Sequence, residues 1–166
     1  CLSHPDGFLN PYDFVGTEIE GFEVTDEMAD AISLTIETVQ AELQKGGQLL
    51  IETRIDVIPG VVEGTLDIAI LRNFDRILVI DFKYGAGVAV RPADNKQLLI
   101  YALGLLKTYE CEIAELIIIQ PRCYDGEPVN RWECDRDYLD VFHQELLRHV
   151  ALTKEENAFL VAGPQC

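Results

Sequence analysis

Hydrophobic positions along the chain recur with the period of a helix in some stretches and of a strand in others, which predicts an α/β protein. Helical spacing predicts helices over residues 25–45, 92–107 and 135–150. Each begins at a residue able to cap it: Thr25, Asp94 and Asp135. Alternating or continuous apolar runs predict strands at residues 48–58, 66–70, 77–83, 113–120 and 129–134.

The order of these elements predicts the type of sheet. The unbroken apolar run of residues 116–119 follows a helix, as expected for a strand that is covered on both faces and reached by a crossover connection. Residues 129–134 form a short edge strand in this prediction. We therefore expect a mixed central β-sheet flanked by helices, with a single domain over residues 25–166 after a loop-rich lead-in over residues 1–24.

Two neighbouring strands carry acids among apolar residues. In the first strand Leu66, Ile68 and Ile70 alternate with Asp67, so the apolar side chains are expected on one face and the acid on the other. In the second strand Asp81 alternates with its apolar neighbours in the same way. Each strand thus places a carboxylate on a defined face.

The turn between these strands sets their register. A hairpin centred on Phe74 places Asp67 directly opposite Asp81, where Cβ atoms of antiparallel partners lie ~4.5–5.5 Å apart. Two facing carboxylates repel each other, and burying them unpaired costs more, so they need a neutralising group. A divalent cation held by carboxylate oxygens is the natural candidate. Lys83 follows Asp81 by two residues and shares its face.

Three further residues are candidates for the same site, each with a second interpretation. Glu52 either adds a third carboxylate to the metal site or pairs with Arg54 or a lysine on the solvent face. Gln97 and Tyr101 lie four apart on one face of a predicted helix, either as site residues or as a hydrogen-bonded pair at the edge of the core.

Composition and charge narrow the function classes. The chain has 166 residues and no apolar run near the ~20 residues that a membrane span needs. A net charge of −16 argues against a protein that grips nucleic acid mainly by neutralising phosphates. It leaves room for an enzyme whose site is made positive by a bound metal, or for an acidic face that contacts a basic protein.

The cysteines and the chain ends complete the picture. Five cysteines without a CxxC pair favour reduced thiols over a zinc knuckle or a disulfide framework. Cys111, Cys123 and Cys134 are expected to fill space as small apolar residues. Because the chain opens on Cys1 and stops at Cys166, we expect a piece of a longer protein.

The order of these residues is similar to that of the PD-(D/E)xK nuclease superfamily. The chain resembles most the RecB-like and lambda-exonuclease-like branch, in particular a phage and prophage group. The resemblance is carried by Gly64-Thr65-Leu66-Asp67, by Val79-Ile80-Asp81-Phe82-Lys83-Tyr84-Gly85 and by Gln97-Leu98-Leu99-Ile100-Tyr101-Ala102. It covers roughly residues 25–150 and implies a restriction-endonuclease-like core.

This resemblance implies a role for each site residue. Asp67, Asp81 and the Phe82 carbonyl would bind Mg²⁺ or Mn²⁺, and Lys83 would be the catalytic lysine that orients or activates the attacking water. Gln97 and Tyr101 would steady that lysine or the substrate phosphate. The implied substrate is DNA, and the implied activity is an exonuclease of phage or bacterial recombination or end processing, in the cytoplasm and with a recombination protein as a candidate partner.

The sequence departs from the family pattern in two places. Many relatives carry a histidine on a helix upstream of the first strand, whereas His4 lies in a loop, so we expect that helix before Cys1. Some relatives hold an iron–sulphur cluster with several cysteines near the C-terminus, and Gly163 to Cys166 resembles only the start of such a segment. A cluster would therefore need sequence beyond this chain. The main rival function is a nuclease-fold scaffold whose acidic surface binds a partner protein.

Overall fold

The computed structural model describes residues 3–4, 7–72, 75–123, 125–156 and 158. Its centre is a five-stranded sheet whose strands lie side by side in chain order. The strands are β1 (Gln48–Ile58), β2 (Val62–Arg72), β3 (Arg76–Phe82), β4 (Ile113–Ile119) and β5 (Val129–Asp135). The helices are α1 (Asp26–Leu43), α2 (Lys96–Leu106) and α3 (Arg136–Thr153).

The sheet is mixed, as the sequence predicted. Strands β3 and β4 pair in parallel, and α2 forms the crossover between them. The other neighbouring strands pair antiparallel, and β5 is an edge strand. The register predicted for the β2–β3 hairpin is confirmed from Arg72–Arg76 to Ile68–Ile80, while Asn73 and Phe74 of its turn lie outside the described residues.

Helices cover both faces of the sheet. On one face Val39 of α1 packs on sheet residues that include Ile70, Leu78 and Ile117. On the other face α2 and α3 pack on a larger core with their own apolar residues, Leu98, Leu99, Ala102, Leu139 and Phe142. The helix α2 lies very close to β1 at Gly104, where an added Cβ would meet Ile55 Cγ2 at 1.6 Å. This close approach fixes the helix that carries Gln97 and Tyr101.

Two of the three predicted caps are confirmed. Thr25 and Asp135 accept hydrogen bonds from the backbone N–H groups of Met28 and Tyr138 at 3.3 and 2.8 Å. The prediction that Asp94 caps α2 is wrong, because Asn95 accepts the hydrogen bond from Leu98 N–H at 3.2 Å. Asp94 instead has a left-handed backbone, with φ +57°, and accepts a hydrogen bond from the Tyr138 hydroxyl.

The lead-in contains more regular structure than its sequence suggested. A 3₁₀ helix spans Pro11–Phe14, and a small antiparallel pair joins Glu18–Ile19 to Phe22–Glu23. The Tyr12 hydroxyl donates to Asp30 Oδ1 of α1 at 2.5 Å, which ties the lead-in to the helix that follows.

Two of the three cysteines predicted to fill space are core residues, whereas Cys123 is only partly buried. Cys111 and Cys134 are free, buried and part of the larger core. Burial raises the pKa of the Cys134 thiol to about 12, which keeps it protonated at neutral pH. Among the residues that the structure describes, no helix is both long and apolar enough to cross a membrane.

A cluster of ion pairs lies towards the end of the sheet where β2 turns into β3. The Glu42 side chain of α1 is 3% exposed and pairs with Arg72, with Lys45 at 3.0 Å and with Arg131 at 2.9 Å. Arg131 also pairs with Glu115 at 2.8 Å. Burial by itself raises the pKa of the Glu42 carboxyl, but the hydrogen bonds and charges of its three cationic partners outweigh burial and lower that pKa.

Replacement of Glu42 should destabilise the fold strongly. Glu42→Gln leaves Arg72 and Arg131 without their buried anion, which costs about 3 kcal/mol of unfolding free energy. Urea denaturation at pH 7 measures this loss, and Glu37→Gln at an exposed position of the same helix should change stability by less than about 0.5 kcal/mol.

The same substitution has a pH signature. Because the folded-state pKa of Glu42 is lowered, its stabilising contribution is complete above its ordinary pKa of 4.5 and is lost as the pH falls through the lower folded value. The stability gap between wild type and Glu42→Gln should therefore narrow below about pH 4.5. A gap that stays constant down to pH 2 would contradict this.

Candidate active site

Strands β2 and β3 separate at the level of Asp67. Their ladder ends at the pair Ile68–Ile80, whereas β3 continues to pair with β4 as far as Phe82. Where the ladder ends, Phe82 N–H donates to Asp67 Oδ2 at 2.9 Å. A carboxylate thus replaces a backbone carbonyl as the acceptor, and Asp67 stands in the cleft where the two strands part.

The same level of the sheet contains a strained residue on β1. Glu52 has φ +45°, a left-handed backbone conformation that is rare for a residue with a side chain. It lies across from Asp67, between the paired residues Ile51–Ile68 and Thr53–Leu66. Such strain persists only where surrounding structure enforces it, and it is often found at functional sites.

This irregularity overturns one prediction about β2. Leu66 and Ile68 were expected on the same face, but Leu66 packs in the core beneath α2 while Ile68 packs on the α1 side. The alternation is therefore interrupted at Asp67. On β3 the predicted alternation holds, since Ile77 and Val79 face α2 while Leu78 and Ile80 face α1.

Asp81 is the buried centre of the site. The residue is 1% exposed, and its Oδ1 accepts hydrogen bonds from Lys83 Nζ at 3.1 Å and from Gln97 Nε2 at 2.9 Å. Lys83 Nζ also lies 2.8 Å from Oδ2 as an ion pair.

The other predicted residues complete a network around Asp81. Lys83 Nζ donates to Gln97 Oε1 at 3.2 Å, and Gln97 Nε2 contacts the Tyr101 hydroxyl at 3.1 Å. The structure thus brings Asp81, Lys83, Gln97 and Tyr101 together on the face beneath α2. Tyr101 is 9% exposed, so it closes the inner side of the site.

The charges around Asp81 favour the binding of a further positive charge. Burial raises the pKa of the Asp81 carboxyl, the charge of Lys83 opposes that rise, and the nearby charge of Asp67 adds to it. Lys83 pairs with Asp81, and Asp67 adds a second negative charge nearby; we call Asp67 and Asp81 the acidic pair.

The donor set of the acidic pair fits a hard divalent cation. Mg²⁺ is held in many proteins by one or two carboxylates and completes its shell with water and substrate phosphate. Asp81 is buried and its two carboxylate oxygens lie 3.1 and 2.8 Å from Lys83 Nζ, so an ion held by the acidic pair would share Asp81 with that lysine. Among the described residues, no group of three or more His, Cys, Asp or Glu side chains is placed to hold a metal.

Glu52 is not brought into this group. Its side chain is exposed on the strained turn of β1, and Arg54, its alternative partner, pairs with Glu63 at 2.7 Å. The Phe82 carbonyl remains a candidate ligand through its place beside Asp81 on the strand that ends at the cleft.

Sequence reasoning assigned no role of their own to two residues, Gly64 and Gln120, that lie beside the site residues. An added Cβ at Gly64 would lie 3.1 Å from Tyr101 Cε1, so glycine leaves room for the ring. Gln120 is a buried polar residue directly after β4 and contacts the loop that follows Lys83. The available signal was a lone amide at the end of an unbroken apolar run.

One cavity of the fold does not coincide with the acidic pair. It has a volume of about 660 Å³, is almost wholly apolar, and lies between the lead-in and α1. Phe82 and Tyr84 line it from the opposite face of the chain to Asp81 and Lys83. It therefore forms a separate groove rather than the proposed site of chemistry.

Comparisons with known proteins add a family and a structural likeness. A family model described as "Protein of unknown function (DUF2800)" matches residues 12–166. One similar solved structure, described as "Crystal structure of SSO0001", has 18% sequence identity and a TM-score of 0.41. The match covers 78% of this chain and 63% of that one, so this chain spans less than two thirds of the length of that protein.

Metal binding should be visible in thermal stability. A ligand that binds only the folded state at 100 times its Kd adds about 2.7 kcal/mol, which corresponds to several degrees in Tm. We expect millimolar Mn²⁺ to raise the Tm of the wild type and Asp67→Ala to abolish the rise. Glu63→Ala, which removes an exposed acid from the same strand, should keep it. A wild-type Tm that ignores Mn²⁺ would count against a formed metal site.

The strain at Glu52 gives a separate prediction. Glu52→Gly should stabilise the metal-free protein by about 1 kcal/mol, because glycine adopts a left-handed backbone without the cost that other residues bear. Glu52→Gln keeps the strain and serves as the control. Both variants should retain the full Mn²⁺-induced rise in Tm, and its loss in both would make Glu52 a metal ligand after all.

Proposed function

The chain belongs to the DUF2800 family, and from the geometry of the acidic pair we propose that it hydrolyses DNA phosphodiesters with the help of a divalent metal ion. The observation that carries this proposal is the environment of Asp81. A core has no use for a buried carboxylate that lies near a second acid and whose one charged partner among the described residues is Lys83, since burial of such a group is costly. A site that binds a cation, by contrast, uses such a carboxylate as a ligand.

The roles of the residues follow from their contacts. Asp67 and Asp81, with the Phe82 carbonyl, would hold Mg²⁺ or Mn²⁺, which supplies polarisation of the phosphoryl oxygen and a water of lowered pKa. Lys83 places its amine beside Asp81, where it can orient the attacking water and offset charge that develops on the phosphate.

Gln97 and Tyr101 act on the lysine. Gln97 accepts a hydrogen bond from the Lys83 amine and donates to Asp81, so the amine is held between two acceptors. Tyr101 contacts the Gln97 amide and limits its rotation. A positioned donor needs no reorganisation when the reaction occurs, which is the main source of electrostatic catalysis.

The finer parts of the proposal rest on the motif resemblance. Exonuclease action, DNA as the polymer, and a place in phage or bacterial recombination follow from the likeness to RecB-like nucleases and not from a contact in the fold. The rival function, a scaffold that binds a basic partner protein, is favoured by the net charge of −16. The acidic pair and its lysine favour the enzyme, because binding alone requires no opposed acids.

One assay tests the proposal and separates it from the rival. End-labelled linear DNA and closed circular DNA are incubated with the protein in Mn²⁺ and in EDTA. Loss of label only from linear DNA, and only with metal, is expected for an exonuclease. Cleavage of the circle as well would make the protein an endonuclease, and no cleavage of either, with the Mn²⁺-induced rise in Tm intact, would favour the scaffold.

Lys83 should be needed for chemistry but not for metal binding. Lys83→Ala is expected to lower the cleavage rate by roughly 10²–10³-fold, the usual effect of removing one positioned electrostatic group. Its Mn²⁺-induced rise in Tm should persist because the acidic pair remains. Lys107→Ala at the exposed end of α2 is the matched control and should cleave at the wild-type rate. Wild-type cleavage by Lys83→Ala would remove the lysine from the mechanism.

A further inference from the structure

Gln120 is a buried amide whose side-chain hydrogen bonds to described residues all go to one loop. It follows directly after β4 and is 4% exposed. Its Oε1 accepts a hydrogen bond from Val90 N–H at 2.9 Å. Its Nε2 donates to the Gly85 carbonyl at 3.2 Å and to the Val88 carbonyl at 3.1 Å. Both donor positions of the amide and one acceptor position are thus used on the segment of residues 85–90.

This loop begins two residues after Lys83. Lys83 N–H donates to the Ile119 carbonyl at 2.8 Å and extends the parallel ladder of β3 and β4 by one step. Beyond that point the sequence Gly85-Ala86-Gly87 has few conformational limits of its own, and Gly87 has φ +112°. Beyond the end of the backbone ladder, hydrogen bonds to the Gln120 side chain therefore hold the loop in place.

The segment after Gln120 packs on the same loop. A single parallel bridge joins Gly87 to Cys123. An added Cβ at Gly126 would lie 3.8 Å from the Ala89 Cβ, so the two loops are in near contact there. Gln120 N–H donates to the Pro128 carbonyl at 2.8 Å, which anchors the amide itself. The loop after Lys83 is thus docked on the β4–β5 connection through Gln120.

We propose that Gln120 is a positioning residue for Lys83, an inference that rests on the catalytic role proposed for that lysine. The Lys83 side chain is one-third exposed, so packing alone does not hold it. Its backbone is fixed by the ladder on one side and by the Gln120-bound loop on the other. Because a misplacement of about 1 Å can cost 10²-fold in rate, release of that loop should be felt at the amine.

The first experiment separates positioning from general stability. Gln120→Met keeps the length and volume of the side chain and removes its three hydrogen bonds. Thr35→Val is the matched control, since it removes one buried hydrogen bond within α1, from Thr35 Oγ1 to the Ala31 carbonyl, and none of the hydrogen bonds to residues 85–90.

We expect Gln120→Met to lower kcat at least 10-fold while KM for DNA and the Mn²⁺-induced rise in Tm change less than twofold. Thr35→Val should lower the Tm without changing kcat. If the two variants lose kcat in proportion to their lost Tm, the effect of Gln120 is general destabilisation and the inference is wrong. Gln120→Asn, which keeps an amide but shortens its reach, replaces Gln120→Met if the latter does not fold.

The second experiment needs no activity. Lysine amines are labelled by reductive ¹³C-methylation, and the Lys83 signal is assigned with Lys83→Arg. Gln120→Met should move this signal towards those of exposed lysines such as Lys107, while Thr35→Val should leave it in place. If the wild type does not cleave DNA, the proposed function fails and this signal alone decides the inference. An unmoved Lys83 signal with unchanged kcat would overturn it.

Discussion

The constraint on which the site depends is the burial of Asp81 at the end of a central strand. Strand β3 is paired on both sides and covered on both faces, so a carboxylate on it loses nearly all contact with water. Its charge must then be balanced by groups that the fold itself supplies. Lys83 provides one charge and Gln97 one hydrogen bond, and Asp67 brings a second negative charge close by. The acidic pair consequently places two negative charges beside one lysine, and well-packed elements enclose them.

A second buried acid in the same molecule, Glu42, provides a comparison for Asp81. Glu42 is buried nearly as deeply at the opposite end of the sheet, but Arg72, Lys45 and Arg131 surround it and lower its pKa. Asp81 has a raised pKa, with Lys83 as its one cationic partner among the described residues and Asp67 nearby. The same chain thus surrounds one buried acid with three cations and gives another a single lysine. The first arrangement is what structural stability requires, and the second is what we assign to function.

The site lies at the place in the sheet where strand β2 separates from strand β3. While β3 stays paired with β4, β2 separates at Asp67, and the side chain of that residue takes over a hydrogen bond from the backbone. Strain at Glu52 on the neighbouring strand lies at the same level. On the other side of Lys83 along the chain, the Gln120 side chain accepts a hydrogen bond from the loop that follows the lysine. Rigid strands therefore hold the acids, while hydrogen bonds across loops hold the lysine that we propose to act with them.

The sequence alone determined those parts of the site that depend on short-range periodicity. The hairpin register brought Asp67 towards Asp81, the strand period put Lys83 on the face of Asp81, and the helical period put Tyr101 beside Gln97. The structure shows the contacts of Lys83 with Asp81 and of Gln97 with Tyr101. Asp67 does not stand directly opposite Asp81 as predicted, because the ladder ends at Ile68–Ile80 and the Asp67 side chain accepts a hydrogen bond from Phe82 N–H instead. The two contacts that the structure shows are fixed by backbone geometry over a few residues, so they can be read from residue types and spacing.

Only the tertiary structure decided the rest. The left-handed turn at Glu52 and the altered face of Leu66 arise where three strands meet, and no local pattern encodes them. Asn95 caps α2 in place of Asp94, whose carboxylate accepts a hydrogen bond from Tyr138 on another helix. Gln120 reaches a loop thirty residues earlier in the chain. Each of these features is set by a contact between segments distant in sequence, where packing and hydrogen bonding outweigh local preference.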